Sequence, residues 1–193
     1  MGISKKDQIV QGALTVFAQN GYSDTTMDAI AEAAQVAKGT LYYHFTTKEE
    51  LFLYVIEKGV KMLIDSVESA MNNELLAPED RMISVLDEHL RFFSENRELC
   101  FLLLSFFTGD ENRDQMMARY LTDYFLMMER AMAQLQQQGC IKGDLEVQTL
   151  ASALFGMVGF TVLRKQFRKE PLDLTASRAT LRCFLEGIFE TNK

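Results

Sequence analysis

Residues 25–51 read TTMDAIAEAAQVAKGTLYYHFTTKEEL, and the spacing of apolar positions in this stretch decides the fold. Met27, Ile30, Ala31 and Ala34 recur at helical intervals, which predicts a short helix over Thr26–Ala34. Thr25 is its expected N-cap, with Asp28 three residues on answering as in a capping box. Gln35–Ala37 interrupt the pattern. A second short helix over Lys38–Phe45 resumes it, with Leu41 and Phe45 pointing to a core and Lys38, Thr40, Tyr43 and His44 left on the outer face.

Working outward, Ile9, Val10, Ala13, Leu14 and Phe17 form one broad apolar stripe, predicting a helix from Lys5 to Gln19. Asn20 and Gly21 end it, because both tolerate the left-handed conformation used at helix C-termini. On the other side, Thr46 or Thr47 caps a long helix reaching Met71, with Glu49 and Glu50 in its first turn, where the helix dipole favours acids. Further helices are expected over Glu79–Asn96, Arg97–Phe107, Arg113–Gln138, Leu145–Arg168 and Leu174–Glu190, with Asp144 capping the penultimate one and Pro171, Asp173 and Thr175 introducing the last. The expected architecture is all-α with about nine helices in total. A three-helix head over residues 1–47 precedes a larger helical body over 48–193.

Composition excludes several classes. With 48% hydrophobic and 24% charged residues, the 193-residue chain holds enough apolar material to fold around a core. Its N-terminal residues lack the apolar segment of a signal peptide, and no contiguous apolar run approaches the roughly 18 residues of a membrane span. Cys100, Cys140 and Cys183 are isolated, which argues against a disulfide framework or zinc site and for a cytoplasmic location without membrane association. No nucleophile–base pairing, metal-ligand cluster or phosphate loop is evident, so no enzymatic activity, metal or cofactor is expected.

A short helix, a three-residue turn and a second short helix exposing polar and aromatic groups is the helix-turn-helix arrangement, whose second helix enters the major groove. The stretch VAKGTLYYHFTTKEEL (Val36–Leu51), together with FAQNGY (Phe17–Tyr22) and TTMDAIAEAA (Thr25–Ala34), resembles the signature of the TetR family of bacterial regulators. The resemblance implies that Lys38, Gly39 and Thr40 open the recognition helix closest to base edges, with Tyr43 against a thymine methyl. Lys38 has the chemistry to donate to guanine, and Gly39 permits close approach. Thr26, Tyr42, His44 and Lys48 match positions that hold phosphates, fixing register without selecting sequence.

Two departures from the family pattern stand out. Gln35 occupies a turn position where glycine is common, and therefore carries a left-handed backbone angle or a shifted turn. Ala37 replaces the usual serine or threonine cap, at an expected cost of about 1 kcal/mol. The head is also acidic: Lys5, Lys6, Lys38 and Lys48 stand against Asp7, Asp24, Asp28, Glu32, Glu49 and Glu50. Such a head binds unrelated DNA poorly and depends on a few placed contacts.

A two-turn recognition helix reads only a few base pairs, so a homodimer on a palindromic double-stranded operator is expected. Phe155, Gly159 and Val162 on the penultimate helix and Leu181, Phe184, Leu185 and Ile188 on the last are the candidate interface, in keeping with the four-helix interface that the resemblance implies. The methionines and phenylalanines of the middle region suit an apolar pocket. The resemblance places a small hydrophobic ligand there, with Glu88, His89, Phe106, Asp123, Tyr124, Met127 and Phe160 as candidates. The expected function is a ligand-responsive repressor released from its operator by that ligand. The competing reading is a ligand-sensing or protein-interaction module on the same fold that has lost DNA binding, favoured by the acidic head and Ala37.

Overall fold

The computed structural model describes residues 4–104 and 111–189, without the side chains at 111–114, 116 and 117. Its described residues form nine α-helices: α1 Lys5–Asp24, α2 Met27–Ala33, α3 Lys38–His44, α4 Lys48–Met71, α5 Pro78–Glu95, α6 Arg97–Leu104, α7 Glu111–Gln137, α8 Val147–Phe167 and α9 Leu174–Glu186. Of the residues that sequence assigns to a ligand region, Phe106 and Phe107 lie outside the described residues, as do the side chains of Met116 and Met117.

Local chemistry explains most boundaries. Gly21 breaks α1 with φ 75°, and a short continuation reaches Asp24. Thr26, not Thr25, caps α2 by accepting from Ala29 N at 3.1 Å. Thr25 is buried instead, its hydroxyl donating to the carbonyl of Gly21 at 2.6 Å. The doublet Thr46–Thr47 splits one job: Thr47 Oγ1 accepts from Glu50 N at 3.0 Å while Glu50 reaches back to accept from Thr46 N at 2.8 Å. That reciprocal arrangement satisfies two donors at the head of α4. At the other end of the chain Asp173 caps α9, whereas α8 begins after Glu146, so Asp144 does not cap it.

The head's core is closed by a helix of the body. Ile9, Phe17, Ile30, Leu41 and Phe45 are buried, and Phe52 of α4 meets the Phe17 ring edge-on at a centroid separation of 5.0 Å. A division after residue 47 therefore falls at the mouth of a helix that both units share. Gly12 of α1 lets α2 approach closely, since a Cβ there would sit 2.7 Å from the backbone nitrogen of Ala34. Lys58 of α4 pairs with Asp7 of α1 at 2.7 Å across a cleft of about 550 Å³ between head and body.

In the body, α4, α5, α7 and α8 bury Leu63, Val67, Leu86, Phe93, Met128, Leu154 and Val158. By length and composition α8 is apolar enough to cross a bilayer, a property that counting contiguous apolar runs overlooks. Ala151, Leu154, Phe155, Val158 and Val162 turn one of its faces into the core, which accounts for part of that apolarity.

Candidate functional site

The α2–α3 turn supplies the geometry that sequence made uncertain. Gln35 sits in the left-handed region at φ 53°, and Val36 N donates to Ala31 O at 3.0 Å. Ala37 stands at the N-cap of α3 with no side-chain hydrogen bond, so the first N–H groups of α3 are left to solvent or an incoming acceptor. Leu41 and Phe45 are buried and fix the helix's rotation. The opposite face is bare: Tyr43 is 84% exposed and Tyr42 48%. A Cβ at Gly39 would touch nothing within 4 Å, so the folded chain itself does not require glycine there. Lys38 Nζ pairs with Asp28 Oδ2 of α2 at 2.6 Å, both side chains well exposed. His44 lies edge-on to Tyr43, with centroids 5.2 Å apart.

Lys48 is held within the chain. Its ammonium donates to the carbonyls of Tyr22 at 2.7 Å, Ser23 at 3.1 Å and Thr25 at 2.8 Å, and lies 4.5 Å from the Tyr22 ring centroid. An ammonium has three protons, and all three are engaged. In the free chain Lys48 braces the end of α1 against the start of α4. Its acceptors lie more than twenty residues upstream, so spacing alone does not reveal the role.

In the body, His89 and Tyr124 are fully buried and bonded to each other, Nε2 to hydroxyl at 2.5 Å. His89 Nδ1 donates to the carbonyl of Val85 at 2.8 Å, which leaves Nε2 to accept the Tyr124 proton and keeps the ring neutral. Burial lowers the His89 pKa to about 4 and pushes the Tyr124 phenol up. Phe125 and Phe155 pack on Tyr124 at centroid separations of 5.1 and 5.3 Å, and Phe93 reaches Phe155 at 5.5 Å. This is an aromatic centre with one internally satisfied polar pair.

The other ligand candidates do not converge on it. Glu88 is paired with Arg91 on the outer side of α5, Asp123 is exposed, and Phe160 is 60% exposed on the far face of α8. Met127 lines an open cleft of about 450 Å³ between the end of α4, the start of α5 and α7. Arg81 and Arg130 line the same cleft, and the Nε of Arg81 is buried without a hydrogen-bond partner. Sequence reading passes over both arginines, because an isolated arginine on a helix carries no local signal.

The interface candidates divide in a similar way. Phe155, Gly159, Val162, Leu181 and Leu185 are buried within this one chain, and a Cβ on Gly159 would come within 2.9 Å of Leu104. They are core residues, with little surface left to offer a partner. Ile188 is half-buried, and its carbonyl accepts from Lys142 N at 3.0 Å beside the isolated bridge Ile141–Phe189. Phe184 alone of that set is well exposed, at 64%. It shares the open side of α8 and α9 with Phe160, Ser152, Ala153 and Cys183, and with Gly156, where an added Cβ would meet nothing within 4 Å.

Comparison with known proteins decides what carries this head. The model of bacterial regulatory proteins of the tetR family matches residues 9–55, and the model of the YsiA-like protein C-terminal region matches residues 56–185. The chain belongs to the TetR family of bacterial transcriptional regulators. It is 26% identical over 183 residues to the fatty acid metabolism regulator protein of Bacillus subtilis, covering 94% of each chain. A Clostridium perfringens protein solved as a candidate fatty acid metabolism regulator superposes with a TM-score of 0.86 at 28% identity, over 96% of this chain and 100% of that one. The transcriptional regulator FadR from Bacillus subtilis, solved in complex with stearoyl-CoA, shares the fold with a TM-score of 0.81 at 23% identity, over 93% and 96% of the two chains.

As a TetR-family regulator the chain is a ligand-responsive repressor that binds operator DNA through the helix-turn-helix and functions as a dimer. α3 is then the recognition helix, and its exposed face gathers Lys38, Gly39, Thr40, Tyr42, Tyr43 and His44, with Thr26 at the start of α2. The relatives are regulators.

Proposed function

We propose that this protein is a cytoplasmic, dimeric repressor released from a palindromic operator by a fatty acyl–coenzyme A thioester. The observation that carries the effector class is the similarity to a fatty acid metabolism regulator over 94% of both chains, joined to a shared fold with a regulator solved with stearoyl-CoA. The body of this chain suits an aliphatic tail. Its centre is a stack of rings and unbranched side chains, Phe93, Phe125, Phe155 and Met128, that can repack around one.

In this reading residues 1–47 read DNA and 48–193 bind the effector and pair the subunits. Lys38, Thr40 and Tyr43 meet base edges, Gly39 lets the backbone approach, and Thr26, Tyr42 and His44 hold phosphates. The tail displaces rings around Tyr124, a movement that reaches the head through α4, the helix common to both cores. Phe160 and Phe184, with Gly156 between the subunits' helices, form the interface.

The test uses the duplex selected by this protein from a random pool. Stearoyl-CoA added to the preformed complex, followed by fluorescence anisotropy, is expected to weaken binding at least tenfold, with free coenzyme A and free stearate much less effective. Unchanged affinity across acyl chains from four to eighteen carbons overturns the effector assignment and leaves the DNA assignment standing.

A further inference from the structure

The cleft between the end of α4, the start of α5 and α7 holds four charged side chains that do not pair with one another. Arg81 and Arg130 line it together with Glu68 and Glu74. Among the described residues, neither guanidinium closes an ion pair or a hydrogen bond on either carboxylate. Elsewhere on the surface Arg91, Arg178 and Arg182 each hold a carboxylate. Arg81 Nε is moreover buried with no acceptor, a cost that folded proteins seldom carry without a partner from outside the chain. Two forked guanidiniums facing one space of about 450 Å³, a volume in the range of small-molecule sites, suit a phosphate. Resting on the acyl–coenzyme A reading of the body, we propose that this cleft seats the nucleotide end of the effector. Arg81 and Arg130 donate to its phosphates, and the acyl tail passes Met71 and Met127 into the aromatic centre.

Position along the helices supports the connection. Arg81 and His89 lie on α5, and Ala131 and Tyr124 on α7, each pair having one member in the cleft and one in the buried polar pair. At a rise of 1.5 Å per residue, roughly 10–12 Å separates the two places along both helices. The extended arm that joins phosphates to thioester in a coenzyme A ester covers such a span. Met71 is buried and Met127 is half-buried against the core, and unbranched side chains of this kind adapt readily to a changed neighbour. Glu68 and Glu74, both exposed, cancel the formal charge of the two arginines. Long-range attraction therefore does not fill the cleft with any anion, and the carboxylates offer acceptors to the amine and hydroxyl donors of a nucleoside. The arrangement favours phosphates carried on a nucleoside over phosphate alone.

The test compares two esters by calorimetric titration of the full chain: stearoyl-CoA, and stearoyl-pantetheine, which keeps the tail and thioester but lacks the nucleotide. The wild type is expected to bind stearoyl-CoA at least tenfold more tightly. Arg81→Gln and Arg130→Gln are each expected to weaken stearoyl-CoA about tenfold while leaving stearoyl-pantetheine within twofold. Arg130 is exposed, so R130Q keeps the test open should R81Q disturb folding, and comparing the two esters on the wild type needs no variant. Equal affinity of the wild type for both esters overturns the assignment. So does a preference for stearoyl-CoA that survives both substitutions, or a loss that falls equally on the two esters. Failure of the wild type to bind acyl-CoA of any chain length from four to eighteen carbons instead sinks the reading on which the inference rests.

Discussion

The outer face of α3 and the outer side of α8 and α9 both leave aromatic rings in water, yet their chemistry differs. On α3 the rings are tyrosines, Tyr42 and Tyr43, set among Lys38, Thr40 and His44. A tyrosine keeps its hydroxyl hydrated when no partner is present, so this face tolerates a free state. On α8 and α9 the rings are phenylalanines, Phe160 and Phe184, beside Gly156 and the small side chains of Ser152 and Ala153. The rings have nothing to offer water, and one serine hydroxyl, which can turn back to a carbonyl of its own helix, does not change that. Such a patch rewards permanent cover. On the proposed reading, the difference separates a constitutive association from a conditional one: the subunits are expected to stay paired while DNA comes and goes.

The strongest way to break this contrast is to place charge on the apolar side. Phe160→Glu with Phe184→Glu is expected to yield a folded monomer by light scattering at micromolar concentration, with operator affinity reduced at least 100-fold because two half-sites are no longer linked. A dimer that survives both changes would place the interface elsewhere. On the other face, Lys38→Ala with Tyr43→Ala is expected to leave the dimer and its melting temperature intact while lowering operator affinity by about 100-fold, in line with about 1–3 kcal/mol for each base contact. Anisotropy titration and light scattering on the same sample separate the two faces cleanly.

A smaller effect sharpens the account of the body. His89 is held neutral when folded, with its pKa lowered to about 4 against about 6.5 when unfolded. The unfolded chain therefore binds the extra proton first, and the stability contributed by neutral His89 is full above pH 6.5 and declines as pH falls toward 4. Between pH 7 and pH 5 the loss is about 2 kcal/mol. Urea unfolding at the two values checks it, and the double variant His89→Leu, Tyr124→Phe, which removes both partners of the pair, is expected to flatten that part of the profile. An unchanged slope in the double variant would assign the acid sensitivity to other groups.

The smallest expected effect separates folding from reading. Gly39→Ala fills open space on a helix, so it is expected to stabilise the free protein by about 0.5–1 kcal/mol while weakening operator binding severalfold. Stabilisation without any loss of binding would show that the backbone at residue 39 does not approach DNA closely.

Much of this is legible in the sequence, for identifiable reasons. The head reads well because its signals are local: the apolar spacing of Ile30, Leu41 and Phe45, the left-handed angle at Gln35, and the capping residues all act within a few positions. Even there, Thr25 and Thr26 exchange roles, since neighbouring threonines offer the same chemistry and only the buried carbonyl of Gly21 tells them apart. The body reads less well. Stripes on α8 and α9 identify apolar residues without saying whether the chain's own core or a second copy covers them, so Phe155, Leu181 and Leu185 look like interface residues and lie inward. Phe160, a pocket candidate by sequence, lies on the open side for the same reason. The His89–Tyr124 pair joins helices thirty-five positions apart, and nothing short of tertiary structure brings it together.

Selection from a pool of random duplex DNA, with sequencing of what the wild type and the Lys38→Ala, Tyr43→Ala variant retain, tests the role of α3 most directly. The expected result is a two-fold symmetric motif for the wild type whose information is lost at matched positions in both half-sites of the variant's pool. Retention of the same motif by both proteins, or of no motif by the wild type, would contradict it.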